Sequence, residues 1–419
     1  MSDIIRQQGS SVPMDMQTRY RDMGDGTHAL VTAAEVQNTV AVAGPLTNAQ
    51  LRAADVEVVG YTGMLDEAGL PYGVKQVDGK PRVSAMPYTY DIAEGNVSGH
   101  TAWATFGYTP ALGVAESDLW SASGVYVFPT AAQQMEVVSS DNTQDIGTVI
   151  KGDATGDTVQ SDADGSATTL TDADVDFTAA TAVAAGDLVI LDPHGASPSF
   201  GFVTTVAAHT LTCAGGFVKG DSGASRYYAV IDKSAHTGAL AVGIQYLDAN
   251  YTRRGEIVVL NGTTPVDTVG TGMLRINDMR VIGTGTGNKP VGNLSLRNTA
   301  GTVTYDYITL GYNVARSSIY TVPDGLTLYV TQMTAGFGYA ANQTHYARLY
   351  VRANKDPAQG FLMGSIFYPY AEVVCANTST PVEFVSPLVF PEHTDLRISG
   401  IASTAAGIAT AALRGWLET

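Results

Sequence analysis

Charge is what this chain has least of. Only 15% of its 419 residues are Asp, Glu, Lys or Arg, against about a quarter in an ordinary globular protein. That leaves little Lys or Glu to solvate helix faces, and no long amphipathic helix is written anywhere. Doubly wound, (β/α)-barrel and helix-bundle readings fall with it. Cysteine is nearly absent too. Cys213 and Cys375 lie far apart, without disulfide-framework or zinc spacing. Both sit in apolar stretches and are read as buried free thiols. No apolar run approaches the ~18 residues of a membrane span. Met1–Tyr20 is polar and lacks the apolar core of a signal peptide. The net charge is −17 and no basic patch is visible, so neither nucleic acid nor membrane is expected as a partner.

What fills the space is Gly, Ala, Thr, Val and Ser in short alternating runs. Leu240, Val242, Ile244 and Tyr246 alternate with small or polar residues, the period of a strand with one buried face. Asp248-Ala249-Asn250 supplies a turn, and Glu256–Leu260 reads as the antiparallel partner. Asn261-Gly262 then suggests a tight hairpin. Similar runs recur from Thr101 onward, including 101–109, 125–129 and 134–139. After 237 they fall at 239–247, 255–260, 273–282, 292–297, 302–310 and 326–333, and continue to 408–417. Turn signals every 8–14 residues favour sandwiches or jelly rolls. The pattern breaks at 141–180, a stretch loaded with Asp, Thr, Gly and Ala. Three or four short strands follow, the size of a small barrel.

The expected fold is therefore all-β: two antiparallel β-sandwich (jelly-roll-like) domains, a small inserted β-barrel-like module and an extended N-terminal arm. The expected divisions are 1–60 for the arm and docking segment and 61–149 plus 237–316 for the first sandwich. Residues 150–236 make the insert and 317–419 the C-terminal sandwich. Thr47 and Gln50 fit a capping box, so one helical turn is expected there. An insert at an exposed turn should project outward and be removable without unfolding the remainder.

Several constellations look chemical. His209 and Gly220-Asp221-Ser222-Gly223 resemble pieces of a trypsin-like site, but no separate carboxylate lies between base and nucleophile. Two turns of a small β-module account for them. Gly283–Pro290 resembles a phosphate loop, but Asn288 precedes Lys289, Pro290 follows it, and no helix comes next. Asp162 and Asp164, with Asp172, Asp174 and Asp176, offer oxygens for Ca²⁺, yet Phe177 and Val183 stand where an EF-hand needs Gly and Glu. The seven histidines (His28, His100, His194, His209, His236, His345, His393) do not pair at metal-ligand spacing. The sequence therefore assigns no catalytic, cofactor-binding or metal-binding residue, and no cofactor. Tyr and Phe accumulate after 305, at positions such as Tyr305, Tyr320, Phe337 and Tyr370. They divide between core and a face suited to a subunit contact or to sugars.

Several phrases resemble a known family. Asp118-Leu119-Trp120, Val125–Pro129, Met135–Ser140, Leu247–Tyr251, Val259–Thr264, Leu274–Asn277 and Tyr320–Gly325 are similar to tailed-bacteriophage virion structural proteins. Gly44–Arg52 is similar to a phrase common in phage particle proteins. The resemblance covers most of 101–140 and 237–335 and departs between Asp145 and Thr237. It implies a non-enzymatic particle component assembled in the host cytoplasm. A capsid decoration (cement) or head-fibre protein comes first, bound to the major capsid protein or other virion proteins and self-associated as a homotrimer. A tail-associated or receptor-binding protein recognising host glycans is the alternative. A hydrolase using the Ser222 region is the reading from another class. The apolar run Ile401–Leu413 and the scarcity of charge after 317 place the expected subunit contact there.

Overall fold

A computed structural model describes five short strands within the first 87 residues. Beyond them it describes residues 88–419 except 155–157, 163–164, 180, 196–197, 215–224, 339–344, 355–365, 376–379 and 403–406. The chain divides into two compact units, Met1–Ala85 and Met86–Thr419. The described part of the first unit holds an antiparallel meander of Ile4–Arg6, Thr18–Asp22 and His28–Val31 and a hairpin of Lys75–Val77 with Lys80–Arg82. Ile4 stands opposite Tyr20, and Tyr20 opposite Leu30. These few apolar residues are too sparse to announce themselves as strands in an otherwise polar stretch. The helical turn expected at Thr47–Gln50 lies outside the described residues.

The second unit is built almost wholly of antiparallel sheets, and its one described helix is the short Tyr88–Ala93. In its C-terminal part, a four-stranded sheet runs in the order Thr380–Phe390, Thr327–Gly338, Gly407–Glu418, His100–Leu112. It shares a core with a second sheet ordered Tyr320–Thr321, Thr394–Ala402, His345–Ala353, Tyr368–Cys375. Leu328, Val330 and Leu413 come from the first sheet and Leu349, Ile398 and Val373 from the second; all are buried. Inward residues alternate with outward ones, the pattern of a sheet with one covered face.

This sheet pair corrects the expected division at 317. Strand 100–112, assigned by its position to the first sandwich, pairs along nearly its whole length with 407–418. Ser117–Asp118 likewise pairs with 394–402. Alternation identifies a strand but carries nothing about its partner. Val125–Pro129 needs a second correction. Its alternation is real, with Tyr126 and Phe128 buried and Val125 and Val127 exposed. No ladder forms there, because the Tyr126 N–H donates to the Asp118 carboxylate at 2.7 Å instead.

The central part is a second pair of sheets. One is ordered Arg253–Val259, Ala239–Leu247, Arg275–Thr284, and the other Val266–Asp267, Met135–Ser139, Leu294–Asn298, Thr304–Ile308. Val242, Ile244, Met279, Val137, Leu296 and Ile308 form their common core. The turn at Asp248 is as the sequence implies: its carboxylate accepts the Asn250 and Thr252 N–H groups at 2.9 and 3.1 Å. Asn261-Gly262 closes no hairpin. The chain crosses there from one sheet to the other, and the Gly262 carbonyl accepts the Ser139 N–H.

The insert spans strands 148–152 to 228–232 and is a six-stranded sheet. Its order is Thr169–Thr171, Thr210–Ala214, Ser199–Ala207, Leu188–Leu191, Tyr228–Asp232, Thr148–Gly152. Among the described residues its end strands do not pair, so the sheet is open rather than a closed barrel. Both of its faces are covered. Val189, Leu191, Val203, Leu211 and Tyr228 face a core closed by Phe177 and Val183. Leu188, Ile190 and Ile231 pack on Leu240, Ile257, Val259 and Ile282 of the central sheet. The module is thus a third sheet layer, not a free projection. At its neck, buried Asp145 accepts the N–H groups of Ala239, Val291 and Gly292 at 2.8, 3.0 and 2.7 Å. Hydrogen bonds of this kind offset the cost of burying a charge.

Candidate functional site

The chemical-looking motifs are absorbed by the fold. His209 lies at the turn between strands 199–207 and 210–214, its Nδ1 2.9 Å from the Val175 carbonyl. Asp221 and Ser222 lie outside the described residues. In the Gly283–Pro290 loop the N–H groups of Gly285, Thr286 and Gly287 donate to the carbonyls of Gly238, His236 and Thr237 at 2.7, 3.1 and 2.9 Å. Donors spent this way cannot cradle a phosphate. A Cβ on Gly285 would sit 2.0 Å from the His236 carbonyl, so the glycine serves close backbone approach. Asp172 is buried and accepts the Tyr228 hydroxyl at 2.7 Å, and Asp176 accepts the Thr178 N–H at 2.8 Å. Asp162 accepts the Ala173 N–H, and Asp164 lies outside the described residues. Cys213 and Cys375 are buried free thiols, and burial pushes the Cys213 thiol up to about 12.

Three other arrangements are built by the tertiary structure. The first is a buried junction between the two sheet pairs. Arg275, on the central sheet, forms a fork with Asp395 of the C-terminal sheets at 2.9 and 3.2 Å. Its Nη1 also donates to the Pro129 carbonyl at 2.8 Å. Arg352 reaches the same Asp395 at 3.0 Å, and Thr321 donates to it at 2.6 Å. Nearby, Arg397 pairs with Asp118 at 3.0 Å, and Ser399 donates to Asp118 as well. Burial raises the Asp118 carboxyl above its ordinary value, against the pull of Arg397, Ser399 and the Tyr126 N–H. Three guanidiniums meet two carboxylates here. Aromatic faces offset the excess, with Arg352 4.9 Å from Phe128 and both Arg352 and Arg397 4.4 Å from Phe367. This is a structural lock, with each group held by several partners.

The second is an apolar flank. Strands 368–375 and 380–390 are the outer edges of the two facing C-terminal sheets, and Tyr370 meets Phe390 at 5.2 Å between ring centres. Tyr370, Val374, Val385 and Val389 are exposed along it. Glu372 and Glu383 are the only charged residues on these two strands. Pro369, Pro381 and Pro387 interrupt the edges and guard them against further strand pairing.

The third is a groove of about 930 Å³. Its floor is the outward face of the central sheet, at Gly243, Gln245 and Gly255. One wall is Pro198 and Phe200 of the insert, and the other is the edge strand at Trp103 to Phe106. Arg253, Arg254, Arg280, Arg316 and Arg414 line it, with Glu256, Asp278 and Asp306 as its carboxyls. Arg316 is clamped between Tyr108 and Tyr312, its guanidinium carbon 3.7 and 3.8 Å from the ring centres. Burial raises the Asp306 carboxyl well above the ordinary carboxylate range, with neighbouring Asp278 adding to the effect. Burial raises Asp278 too, against the pull of Arg280, which lies 2.5 Å away.

No family model, curated protein or solved structure matches this chain. Its geometry must carry the functional reading alone. Among the described residues, one group has ligand-bearing side chains close enough to hold a cation: Asp324, Glu392 and His393, within 4.8 Å of one another. His393 and Asp324 already bond each other at 2.9 Å, Glu392 accepts the Gly325 N–H at 2.6 Å, and the imidazole stacks on Tyr251 at 4.2 Å. That triad closes a turn with its own hydrogen bonds. The groove and the junction escaped sequence reading because their members come from separate segments, Arg275 and Asp395 being 120 residues apart. Asp118 and Arg275 stood inside phrases singled out for their wording, but nothing local marked them as charges that would be buried.

Proposed function

We propose that this chain is a non-enzymatic structural protein of a tailed-phage virion, a capsid decoration or head-fibre protein. On this reading the two facing pairs of sheets are β-sandwiches of jelly-roll character, and the N-terminal segment docks on the major capsid protein. The C-terminal flank packs against other copies in a homotrimer. The observation that carries the reading is that flank. An edge bearing Tyr370, Val374, Val385 and Val389 in water is costly unless covered. Its prolines block strand addition, so side-chain packing in a closed ring is the cover that fits. The phrases at 118–140 and 247–277 that resemble virion proteins support the same reading. Weak contacts repeated over a particle lattice sum to strong attachment.

Light scattering on the purified chain at micromolar concentration should give a trimer mass. Val374→Glu with Val385→Glu should give a folded, cooperatively melting monomer, since both side chains are exposed in the single chain. A wild-type monomer would refute assembly through this flank. Co-sedimentation with empty capsids tests docking: removal of residues 1–30 should abolish it and leave the trimer intact.

A further inference from the structure

From the groove we infer that the second unit binds a carboxylate-bearing polysaccharide, a chain of sugars with uronate-type acids, across the outward face of the central sheet. Such binding does not depend on whether the protein sits on a virion.

The charge of the groove is opposite to that of the molecule. The chain carries −17 overall, yet five arginines and three carboxyls line this one cleft; with Arg254 paired to Asp248 and Arg280 to Asp278, Arg253, Arg316 and Arg414 make the local excess. Burial raises the Asp306 carboxyl well above its ordinary value, which lessens the negative charge set against the arginines. Charges beyond about 8 Å are screened at physiological ionic strength, so the local arginines and not the net charge decide what settles there. Arginine presents a planar fork matched to a carboxylate. Arg414 is exposed and forms no ion pair among the described residues, and the Arg280 side chain is 58% exposed. Arg316 is only 8% exposed, and its Nε has no hydrogen-bond partner.

The shape selects among anionic polymers. The volume lies at the upper end of the ~300–1,000 Å³ of ligand sites, over a sheet face walled on one side by the edge strand at Trp103 to Phe106. Gly243 and Gly255 leave the floor flat, while Gln245 adds an amide that suits hydroxyl groups. Phe106 and Phe200, 47% and 39% exposed, stand at the two rims. Exposed ring faces are platforms for the apolar faces of sugars. A nucleic acid would bring about one phosphate per nucleotide along its whole length, and outside the groove the acidic surface would oppose it.

The test is titration calorimetry of the full chain with hexagalacturonate, maltohexaose as the neutral control and a hexameric single-stranded oligonucleotide as the phosphate control. The acidic hexamer should bind, weakening as salt rises, and the neutral one should not. Arg414→Glu and Arg280→Glu should each weaken binding about tenfold or more; the first should keep its thermal midpoint because Arg414 is exposed, and the second should lower it because Asp278 loses its partner. Gln245→Ala should weaken it without altering the salt dependence. The inference is overturned by equal binding of the neutral hexamer, by no binding of the uronate, or by affinity indifferent to both arginine reversals. Preference for the oligonucleotide would overturn it in favour of a phosphate polymer.

Discussion

Excising the insert tests whether it is a passenger or a layer of the structure. The change replaces 148–232 with a short Gly-Ser bridge joining Gly147 to Lys233, which keeps the Asp145 neck. Four large side chains of the central sheet then lose their cover: Leu240, Ile257, Val259 and Ile282, each no more than 9% exposed in the intact chain. Burial of one such side chain stabilises by about 1.5–3 kcal/mol, so the four together amount to about 6–12 kcal/mol, an upper bound because unfolded chains are not fully extended. A whole domain has only about 5–15 kcal/mol to lose. The excised protein should therefore bind a hydrophobic dye, scatter light, and lose its cooperative thermal transition. Adding Leu240→Thr, Ile257→Thr, Val259→Thr and Ile282→Thr, which keeps strand-forming residues, should restore a soluble, cooperatively melting product. A simple excision that stays unaggregated and melts at the wild-type midpoint would refute the three-layer reasoning.

At the junction, Asp395→Ala leaves Arg275 buried without its carboxylate. Loss of one partner of a buried pair costs about 3–5 kcal/mol, read as a lower urea midpoint. Asp306→Asn should act in the opposite direction. The folded-state pKa of Asp306 lies above its unfolded value of ~3.9. The folded chain thus holds a proton that the unfolded chain releases. Its contribution is full below about pH 4 and declines as pH rises toward the folded value. Asparagine keeps the acceptor for the Tyr307 N–H, 2.9 Å from Asp306 Oδ1. The variant should match wild type near pH 4 and gain on it as the pH is raised to 7; a constant gap in urea midpoint across that range would mean that Asp306 is not protonated in the fold.

The class of the fold was legible because it rests on local physics. Alternation of Val242 and Ile244 reports one buried face wherever the strand finds its partner, and low charge excluded helical layers at the level of composition. The turn at Asp248 and the burial of both cysteines are local in the same sense. Pairing is not. Strand 100–112 carries the same alternation whether it lies beside 134–139 or beside 407–418, and only the packed core selects the second. Val125–Pro129 alternates as a strand does, yet the Asp118 carboxylate claims the Tyr126 N–H and no ladder forms. Arg275 with Asp395, and the arginines that gather in the groove, come from segments that meet only after the layers stack. A side chain's charge is written in the sequence; whether it ends in water, against a carboxylate or over an aromatic ring is decided by which sheets close around it.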